Sequence, residues 1–237
     1  TGGGRGIGAE TALKAAEVGW DVCINYQGDA ARAEDVVTEV LARRQRAITV
    51  QADISVEADV IRLFETCDAE LGVPTGLVNS AGILGPLTRI DEIGRDDLTR
   101  HMMINVVGTI LCAREALQRM STKHGGDGGV IVNLSSRTSD LGGAGASVHY
   151  GASKGAINSF TFGLAQEVAA EGVRVCAVSP GVIDTEIQPA GRVDAVGPTL
   201  PMERVGKPDE VANAIVWLLS DEASYVSGTV LDVSGAR

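Results

Sequence analysis

The sequence lacks the features of nucleic-acid-binding and membrane proteins. Twenty basic residues face 31 acidic ones, a formal net charge of −11, and no basic cluster is large enough to bind a phosphate backbone or an anionic membrane surface. No apolar run approaches the roughly 18 residues of a membrane-spanning helix, and no signal-peptide pattern is present. We therefore expect no nucleic-acid partner, no membrane partner and a cytoplasmic location.

Cysteine is also scarce, and its spacing excludes a metal or disulfide framework. The four cysteines (Cys23, Cys67, Cys112 and Cys176) are far apart along the chain, each inside an apolar stretch. Neither a CxxC pair nor a zinc-ligand spacing exists. We expect reduced, buried thiols, as in a cytoplasmic protein, and no metal site.

Aromatic residues make up only 3 % of the chain, whereas glycine is abundant. Thirty of the 237 residues are Gly, about twice the average share of roughly 7 %. They have no three-residue period, which excludes a collagen-like fibre. A hydrophobic content of 44 % argues against disorder. The composition therefore predicts a globular domain with many tight turns or close backbone approaches.

Strand-like and helix-like segments alternate along the chain. Short apolar runs predict strands at 20–25, 47–51, 76–79, 130–134, 173–178 and 229–233. Helical spacing predicts helices at about 7–18, 30–43, 56–71, 96–120, 148–170 and 208–219, with an irregular stretch at 179–206. Such alternation indicates an α/β fold, a parallel sheet covered on both faces. No linker or repeat interrupts it, so we expect one domain over 1–237.

The chain begins with a glycine-rich segment, TGGGRGIG, at positions 1–8 just before a predicted helix. Glycines let the backbone approach a pyrophosphate and present N–H groups at the helix N-terminus. The generic G-x-G-x-x-G/A pattern also fits Gly4, Gly6 and Ala9. This pattern predicts a dinucleotide site, with an ordinary glycine-rich turn as the alternative.

The residues near the predicted ribose site favour NADP over NAD. In the dinucleotide pattern an acidic residue binds the ribose 2′-hydroxyl, but here the strand at 20–25 runs into Asn25, Tyr26 and Gln27. Asp29 comes a few residues later and is better interpreted as a helix N-cap. Arg5, inside the glycine-rich turn, can bind a 2′-phosphate with two hydrogen bonds, unless it is merely solvated.

Tyr150 and Lys154 are four residues apart in a predicted helix and therefore share one face. A phenol with a pKa of about 10 is a poor base at neutral pH, and a neighbouring ammonium favours the phenolate. Ser135 and Ser136 follow a buried strand, at the edge where open α/β sheets bind ligands. These residues together predict an acid–base site.

In combination, these features resemble the short-chain dehydrogenase/reductase family over the whole chain. The motifs that carry the resemblance, in order, are TGGGRGIG, Asp53-Ile54, Asn79-Ser80-Ala81-Gly82, Asn105 in INVVG, Ser136 in NLSS, Tyr150 and Lys154 in YGASK, and SPGVIDTE. The resemblance implies a Rossmann-type, doubly wound parallel sheet of seven strands. The sequence shows six strands, so we expect the first one upstream of residue 1.

The resemblance also implies the roles of the site residues. Tyr150 is the expected acid and base, Ser136 holds the substrate oxygen, Lys154 lowers the pKa of Tyr150 and binds the nicotinamide ribose, and Asn105 positions a water that links Lys154 to solvent. The expected cofactor-binding residues are Gly2, Gly4, Arg5, Gly6, Ile7, Gly8, Asn25, Tyr26, Asp53, Ile54, Asn79, Ala81, Gly82, Tyr150, Lys154, Pro180, Gly181, Ile183 and Thr185. A substrate loop is expected at about 185–206.

Four positions depart from the family pattern. The interval from Ser136 to Tyr150 is one residue longer than usual, so Ser135 is an alternative for the catalytic serine. Ser80 replaces an Asn, and Cys176 stands where the family usually has another Asn. Arg137, directly after Ser136, is the least family-like residue near the predicted site, and it either binds an anionic substrate or points to solvent.

The sequence thus predicts an NADP(H)-dependent oxidoreductase that interconverts a secondary alcohol or sugar hydroxyl and its carbonyl, similar to bacterial glucose 1-dehydrogenases. One alternative is a 3-oxoacyl-(acyl-carrier-protein) reductase, which a net charge of −11 and the acidic Glu171 after the Tyr150 helix disfavour, since the carrier is acidic. Another is a cofactor-binding sensor or scaffold without turnover. The resemblance implies a homotetramer.

Overall fold

The computed structural model describes residues 1–237 as alternating strands and helices. The strands are β1 (Val22–Tyr26), β2 (Ala47–Gln51), β3 (Gly76–Asn79), β4 (Gly129–Leu134), β5 (Val173–Pro180) and β6 (Val230–Val233). The helices are α1 (Gly6–Glu17), α2 (Ala30–Ala42), α3 (Glu57–Glu70), α4 (Arg95–Met102), α5 (Thr109–Met120), α6 (Thr138–Leu141), α7 (Val148–Val168), α8 (Arg192–Val196) and α9 (Pro208–Leu219). The predicted α/β alternation is confirmed.

All strand pairs are parallel, as the alternation predicts, and they form two groups. β1 pairs with β2, and β3, β4, β5 and β6 pair in that order. Between β1 and β3 lies a cavity of about 510 Å³, lined mainly by apolar side chains. Residues 1–3 cross its carboxyl end, since the Thr1 amino group donates to Val78 O at 2.7 Å and Gly3 N donates to Asn25 O at 2.9 Å. The strand expected upstream of residue 1 is not part of this sequence and stays an expectation.

The core follows the apolar stripes of the helices. On α2 the residues Val36, Val37 and Val40 are buried against β1 and α1. Asp29 caps this helix as predicted, because its carboxylate accepts a hydrogen bond from Arg32 N at 3.2 Å. Continuous apolar strands such as β4, five of whose six residues are buried, lie in the middle of the four-stranded group.

The long helix expected at 96–120 contains a wider turn. Regular α-helix ends at Met102, residues Met103–Gly108 form a π-helical turn, and α5 begins at Thr109. Asn105 lies in the middle of this turn. Hydrophobic spacing cannot distinguish a π turn from an α turn, and such turns are common at functional sites.

The segments around 173–206 are also more regular than predicted. β5 extends to Pro180 because Ser179 and Pro180 pair with Asp232 and Val233 of β6. The expected irregular stretch contains the short helix α8 and a 3₁₀ turn at Gly197–Thr199.

None of the helices combines the length and the apolar character that crossing a membrane requires.

Candidate active site

A cleft of about 450 Å³ opens at the carboxyl ends of β1, β2 and β3, beside the N-terminus of α1. Thirteen of the residues predicted to bind a cofactor line it: Gly2, Gly4, Arg5, Gly6, Ile7, Gly8, Asn25, Tyr26, Asp53, Ile54, Ala81, Gly82 and Thr185. Ten further lining residues were not predicted: Gln27, Gly28, Asp29, Arg32, Ala52, Ser80, Ile83, Ile104, Glu186 and Ile187. The cleft therefore joins the predicted turn to the start of the predicted substrate loop.

Close backbone packing explains the glycines of the turn. Gly2 has φ +64°, and a Cβ there would lie 2.7 Å from the Cα of Ala81. A Cβ on Gly8 would lie 2.2 Å from Gly2 O. No side chain caps the N-terminus of α1, so its first N–H groups remain available to an anion. The turn fits the pyrophosphate of a dinucleotide.

Charged side chains flank this cleft at the turn and at α2. Glu186 contacts two guanidiniums, Arg32 by a hydrogen-bonded ion pair and Arg5 at 3.7 Å. Arg32 also lies 3.5 Å from Asp29. Arg5 is 70 % exposed, so the contact leaves its guanidinium open to another anion. Sequence reasoning missed Arg32, although its place one turn after the N-cap Asp29 puts it beside the expected ribose site.

Two other predicted cofactor residues use their polar atoms within the protein. Asn25 is buried, accepts from Gly2 N at 3.2 Å and donates to Ala52 O at 2.9 Å. Asp53 accepts hydrogen bonds from Gln27 Nε2 at 2.7 Å and from Ser55 Oγ at 2.6 Å. Both residues therefore shape the cleft wall.

Tyr150, in the first turn of α7, lies beside Ser136 at the end of β4. Burial raises the pKa of Tyr150 above its usual value of 10.0, and the neighbouring Ser136 hydroxyl lowers it by less. Ser135 is directed elsewhere, since its hydroxyl donates to Asn158 Oδ1 at 2.5 Å. The structure thus brings Ser136 to Tyr150, and not the alternative Ser135.

Lys154 lies one turn after Tyr150 and is 6 % exposed. Its Nζ donates to Leu134 O at 2.6 Å and lies 5.8 Å from the centre of the Tyr150 ring. Burial lowers the pKa of Lys154 to about 8. The protein groups around Tyr150 therefore do not by themselves give the low tyrosine pKa that the sequence predicts, because burial of the phenol outweighs them.

Asn105 is fully buried in the π-helical turn and is bonded to the loop after β3. Its Oδ1 accepts from Ile83 N and its Nδ2 donates to Ile83 O, both at 2.8 Å. Asn105 lies close to Lys154: a Cβ on Gly82 would be 3.3 Å from Asn105 Oδ1 and 3.7 Å from Lys154 Nζ. The Asn105 amide thus holds the cleft wall next to the lysine.

The other four predicted cofactor residues, like Tyr150 and Lys154, lie outside the lining of this cleft. Asn79 is buried and donates to Asn133 Oδ1 at 2.9 Å. Gly181 packs on Ser234, and Ile183 is buried and bridges to Gly206; Pro180 ends β5. These four residues support the segments that carry the site.

The structure also accounts for two of the departures from the family pattern. Arg137 is paired within the protein. Its Nη1 lies 2.5 Å from an Asp140 carboxylate oxygen and 3.0 Å from one of Asp232, and its Nε donates to Arg237 O at 2.9 Å. The thiol of Cys176 donates to Val226 O at 3.3 Å. Arg137 therefore joins the end of β4 to the C-terminal residues.

Chemically, the site combines two hydroxyls with a dinucleotide-shaped cleft. The Tyr150 and Ser136 hydroxyls are close enough to contact one substrate oxygen, and the glycine-rich turn offers N–H donors to phosphates. Such an arrangement suits proton transfer to or from an oxygen beside a bound dinucleotide.

Comparison with known proteins agrees with this chemistry. Residues 2–235 match a family described as enoyl-(acyl carrier protein) reductase. The uncharacterized oxidoreductase YgfF of Escherichia coli is 46 % identical, over 100 % of this chain and 98 % of its own. Glucose 1-dehydrogenase 2 of Bacillus subtilis is 34 % identical over 99 % and 92 % of the two chains, and the 3-oxoacyl-[acyl-carrier-protein] reductase of Synechocystis is 34 % identical over 99 % and 94 %.

Solved structures resemble the chain over almost its whole length. A short-chain dehydrogenase of Burkholderia cenocepacia in complex with NADP has a TM-score of 0.91 and 33 % identity, over 99 % of this chain and 94 % of that one. A blue fluorescent protein from a metagenomic library in complex with NADPH has a TM-score of 0.92 and 33 % identity, over the same shares of 99 % and 94 %.

Proposed function

The chain belongs to the short-chain dehydrogenase/reductase family, and from this premise we propose that it is an NADP(H)-dependent oxidoreductase that interconverts a secondary alcohol or sugar hydroxyl with the corresponding carbonyl. The observation that carries the proposal is the placement of Tyr150 beside Ser136, with Lys154 one turn away on the same helix. A serine hydroxyl holding the substrate oxygen and a tyrosine exchanging a proton with it are what carbonyl reduction requires.

Four residues of the chain have proposed roles in the reaction. Tyr150 donates a proton to the carbonyl oxygen in reduction and removes it in oxidation. Ser136 holds that oxygen, Lys154 binds the nicotinamide ribose, and Asn105 fixes the cleft wall next to Lys154. NADP(H), when bound, supplies or accepts the hydride.

NADP(H) is the proposed cofactor because of the charges around the cleft. The end of β1 offers no carboxylate to a ribose 2′-hydroxyl, whereas Arg5 and Arg32 both line the cleft. A guanidinium binds phosphate through charge-assisted, bidentate hydrogen bonds. Two structural relatives are complexes with NADP or NADPH. We include Arg32 with Arg5 in the proposed 2′-phosphate site.

For the substrate, we propose a small alcohol, sugar or carbonyl compound bound under the segment 185–206. Relatives named for glucose oxidation and for 3-oxoacyl-carrier reduction are equally similar, each at 34 % identity. Charge separates the two alternatives, because an acidic carrier protein is repelled by a chain of net charge −11. Glu171, after α7, adds an acidic group there and is bonded to Ser121 at 2.5 Å.

We further propose a cytoplasmic homotetramer. The four cysteines are unpaired thiols, which fits a reducing compartment. Large apolar side chains are exposed on α4, α5 and α7, among them Ile110 and Phe162. Burial of these residues against further copies of the chain removes them from water.

The test is a substrate screen followed through the NADPH absorbance. Purified protein is assayed with NADPH or NADH against aldehydes, ketones, keto acids and a 3-oxoacyl thioester with and without its carrier, and with NADP against sugars and secondary alcohols. The proposal predicts turnover of a small alcohol or carbonyl with NADP(H). Turnover of the carrier-bound thioester alone would favour the reductase alternative, and cofactor binding without turnover would contradict the proposed activity.

A further inference from the structure

Two buried histidines lie at the helix turn that carries Tyr150, His149 within it and His101 packed against it, and the roles proposed above use neither of them. His101, near the end of α4, is fully buried, and His149 directly precedes Tyr150. The two rings meet edge to face with their centres 4.8 Å apart, and the His101 ring lies 6.0 Å from the Tyr150 ring. Buried imidazoles normally have hydrogen-bond partners, so each ring nitrogen has to be accounted for.

The partners of the two rings differ. His101 Nε2 lies 3.1 Å from Ser153 Oγ and 3.1 Å from Asn105 Nδ2. His149 has no protein partner on either ring nitrogen, and His101 Nδ1 has none either. Only one atom of the pair, His101 Nε2, is therefore built into a hydrogen-bond network of the protein.

Both partners of that atom are connected to the active site. Ser153 Oγ donates to Tyr150 O at 2.8 Å, so Ser153 is bonded to the backbone of the tyrosine. Asn105 is bonded twice to the backbone of Ile83, which lines the cofactor cleft. Because the Asn105 amide nitrogen can only donate, His101 Nε2 accepts from it, and the single Ser153 hydroxyl proton goes either to Nε2 or to Tyr150 O. These contacts link the cleft wall through Asn105 and His101 to Ser153, which lies on the same helix turn as Tyr150.

Packing fixes the His101 ring in this place. Gly85 in the loop after β3 lies against both imidazoles, and a Cβ there would be 2.9 Å from His101 Nδ1 and 3.2 Å from His149 Nε2. The ring cannot move towards that loop without displacing backbone. A side chain held so tightly can position its partners accurately.

We propose that His101 is a positioning residue which, through Nε2, holds Asn105 and Ser153 and thereby fixes the cleft wall at Ile83 relative to the turn that carries Tyr150. The ring is neutral at pH 7, because burial, His149 and Lys154 lower the pKa of His101 to about 4. In the neutral ring Nε2 is the unprotonated nitrogen and accepts from the Asn105 amide, which can only donate.

The experiment compares His101→Gln with His101→Asn and rests on the proposed function for its turnover readout. The terminal amide of Gln reaches the position of Nε2, whereas that of Asn ends near Nδ1, so only Gln can replace the link. We expect His101→Asn to lower kcat about 10- to 100-fold with the carbonyl KM changed less than about threefold, since a small misplacement near the reacting groups is costly. His101→Gln should keep kcat within about threefold of the wild type.

His149→Phe is the matched control. It replaces an equally buried neighbouring imidazole that has no protein hydrogen-bond partner, and it keeps a ring against His101. We expect kcat within about twofold of the wild type, because no hydrogen bond of the network is removed. Thermal unfolding and NADPH binding by fluorescence are measured on all four proteins.

Equal kcat values for the Gln and Asn variants would overturn the proposal. So would a His101→Asn protein that does not fold, because His101 would then serve the core alone. A wild type without turnover on any substrate would contradict the proposed function, and the inference would then be decided by NADPH binding. It predicts a dissociation constant raised at least about threefold in His101→Asn and near the wild-type value in His101→Gln, since the cleft wall at Ile83 shifts only in the former.

Discussion

The fold buries Lys154 almost completely, and burial of its charge lowers the free energy of unfolding. Its pKa is about 8 in the folded chain, against about 10.4 in an unfolded one. Below pH 8 the folded state keeps a buried charge that the unfolded state exposes to water. Between pH 8 and 10.4 the folded state binds fewer protons than the unfolded state, so stability rises with pH.

The substitution Lys154→Met should therefore stabilise the cofactor-free protein at pH 7, while abolishing activity. The stability advantage of Lys154→Met over the wild type should shrink by about 2 kcal/mol between pH 7 and pH 9.5, because the buried lysine of the folded wild type loses its proton in that interval. Urea unfolding of both proteins at the two pH values measures this. A stability difference that is independent of pH would mean that the lysine is not charged and buried in the folded state.

Arg5 and Arg32 are expected to distinguish the two nicotinamide cofactors. Arg5→Ala should raise the dissociation constant of NADPH at least about tenfold and that of NADH less than about threefold, because only NADPH carries the 2′-phosphate. Arg32→Ala should act in the same direction. Arg100→Ala, which removes an exposed cation on α4 outside the cleft lining, is the control. Equal losses for both cofactors in Arg5→Ala would refute the phosphate site.

Glu186 should have the opposite effect, because it contacts the same two guanidiniums as a competing anion. Its contacts are exposed and therefore weak, so we expect Glu186→Gln to tighten NADPH binding by only about threefold, at low salt more than at high salt. Glu65→Gln, on the exposed side of α3, removes the same charge without touching the cleft. Weaker NADPH binding in Glu186→Gln would instead assign the carboxylate to the cofactor site.

At the residue scale, local motifs were enough to predict the main candidates. Tyr150 and Lys154 follow from helical spacing and Ser136 from its place after a strand. The bond of Ser135 to Asn158, 23 residues away, favours Ser136 over Ser135 as the proposed catalytic serine. Glu186 and His101 were missed because their partners are distant in sequence and no local pattern marks them, whereas the place of Arg32 one turn after Asp29 was a local signal.

The first turn of α1 shows how an element depends on glycine. In Gly8→Ala the new Cβ would meet Gly2 O at 2.2 Å, so the turn and the helix must separate. We expect a loss of about 2 kcal/mol or more in the free energy of unfolding and at least tenfold weaker NADPH binding. The same change at Gly155 of α7, where a Cβ meets nothing within 4 Å, should stabilise the protein by about 0.5–1 kcal/mol. Chemical unfolding and cofactor titration test both, and a harmless Gly8→Ala would refute the packing argument.

At the element scale, apolar periodicity predicted every strand and long helix to within a few residues. It failed where backbone hydrogen bonding decides the structure. The π-helical turn around Asn105 has the same apolar pattern as an α-helix, and the extension of β5 to Pro180 depends on pairing with β6. Both features lie beside the site.

For the whole molecule, the exposed apolar residues on α4, α5 and α7 predict self-association. Phe162 and Ile110 are 44 % and 39 % exposed in the single chain. Light scattering should give the mass of a tetramer for the wild type and a smaller species for Phe162→Asp, because a carboxylate in an apolar interface lacks a partner. A monomeric wild type would contradict the proposed assembly.

The class of fold was predictable because strand and helix alternation allows few alternatives. The order in which particular strands pair was not, since the pattern of one segment does not specify its neighbour in the sheet. Neither the fold class nor the strand order identifies the substrate, because the segment 185–206 contains no motif tied to one compound.

The most direct test of the central claim is the rate of NADPH oxidation by wild type and Tyr150→Phe with the best carbonyl substrate of the screen. Loss of the proposed proton donor should lower kcat about 10²- to 10⁴-fold, while the dissociation constant of NADPH stays within about twofold. Equal rates in the two proteins would contradict the assignment of Tyr150 as the acid and base of the reaction.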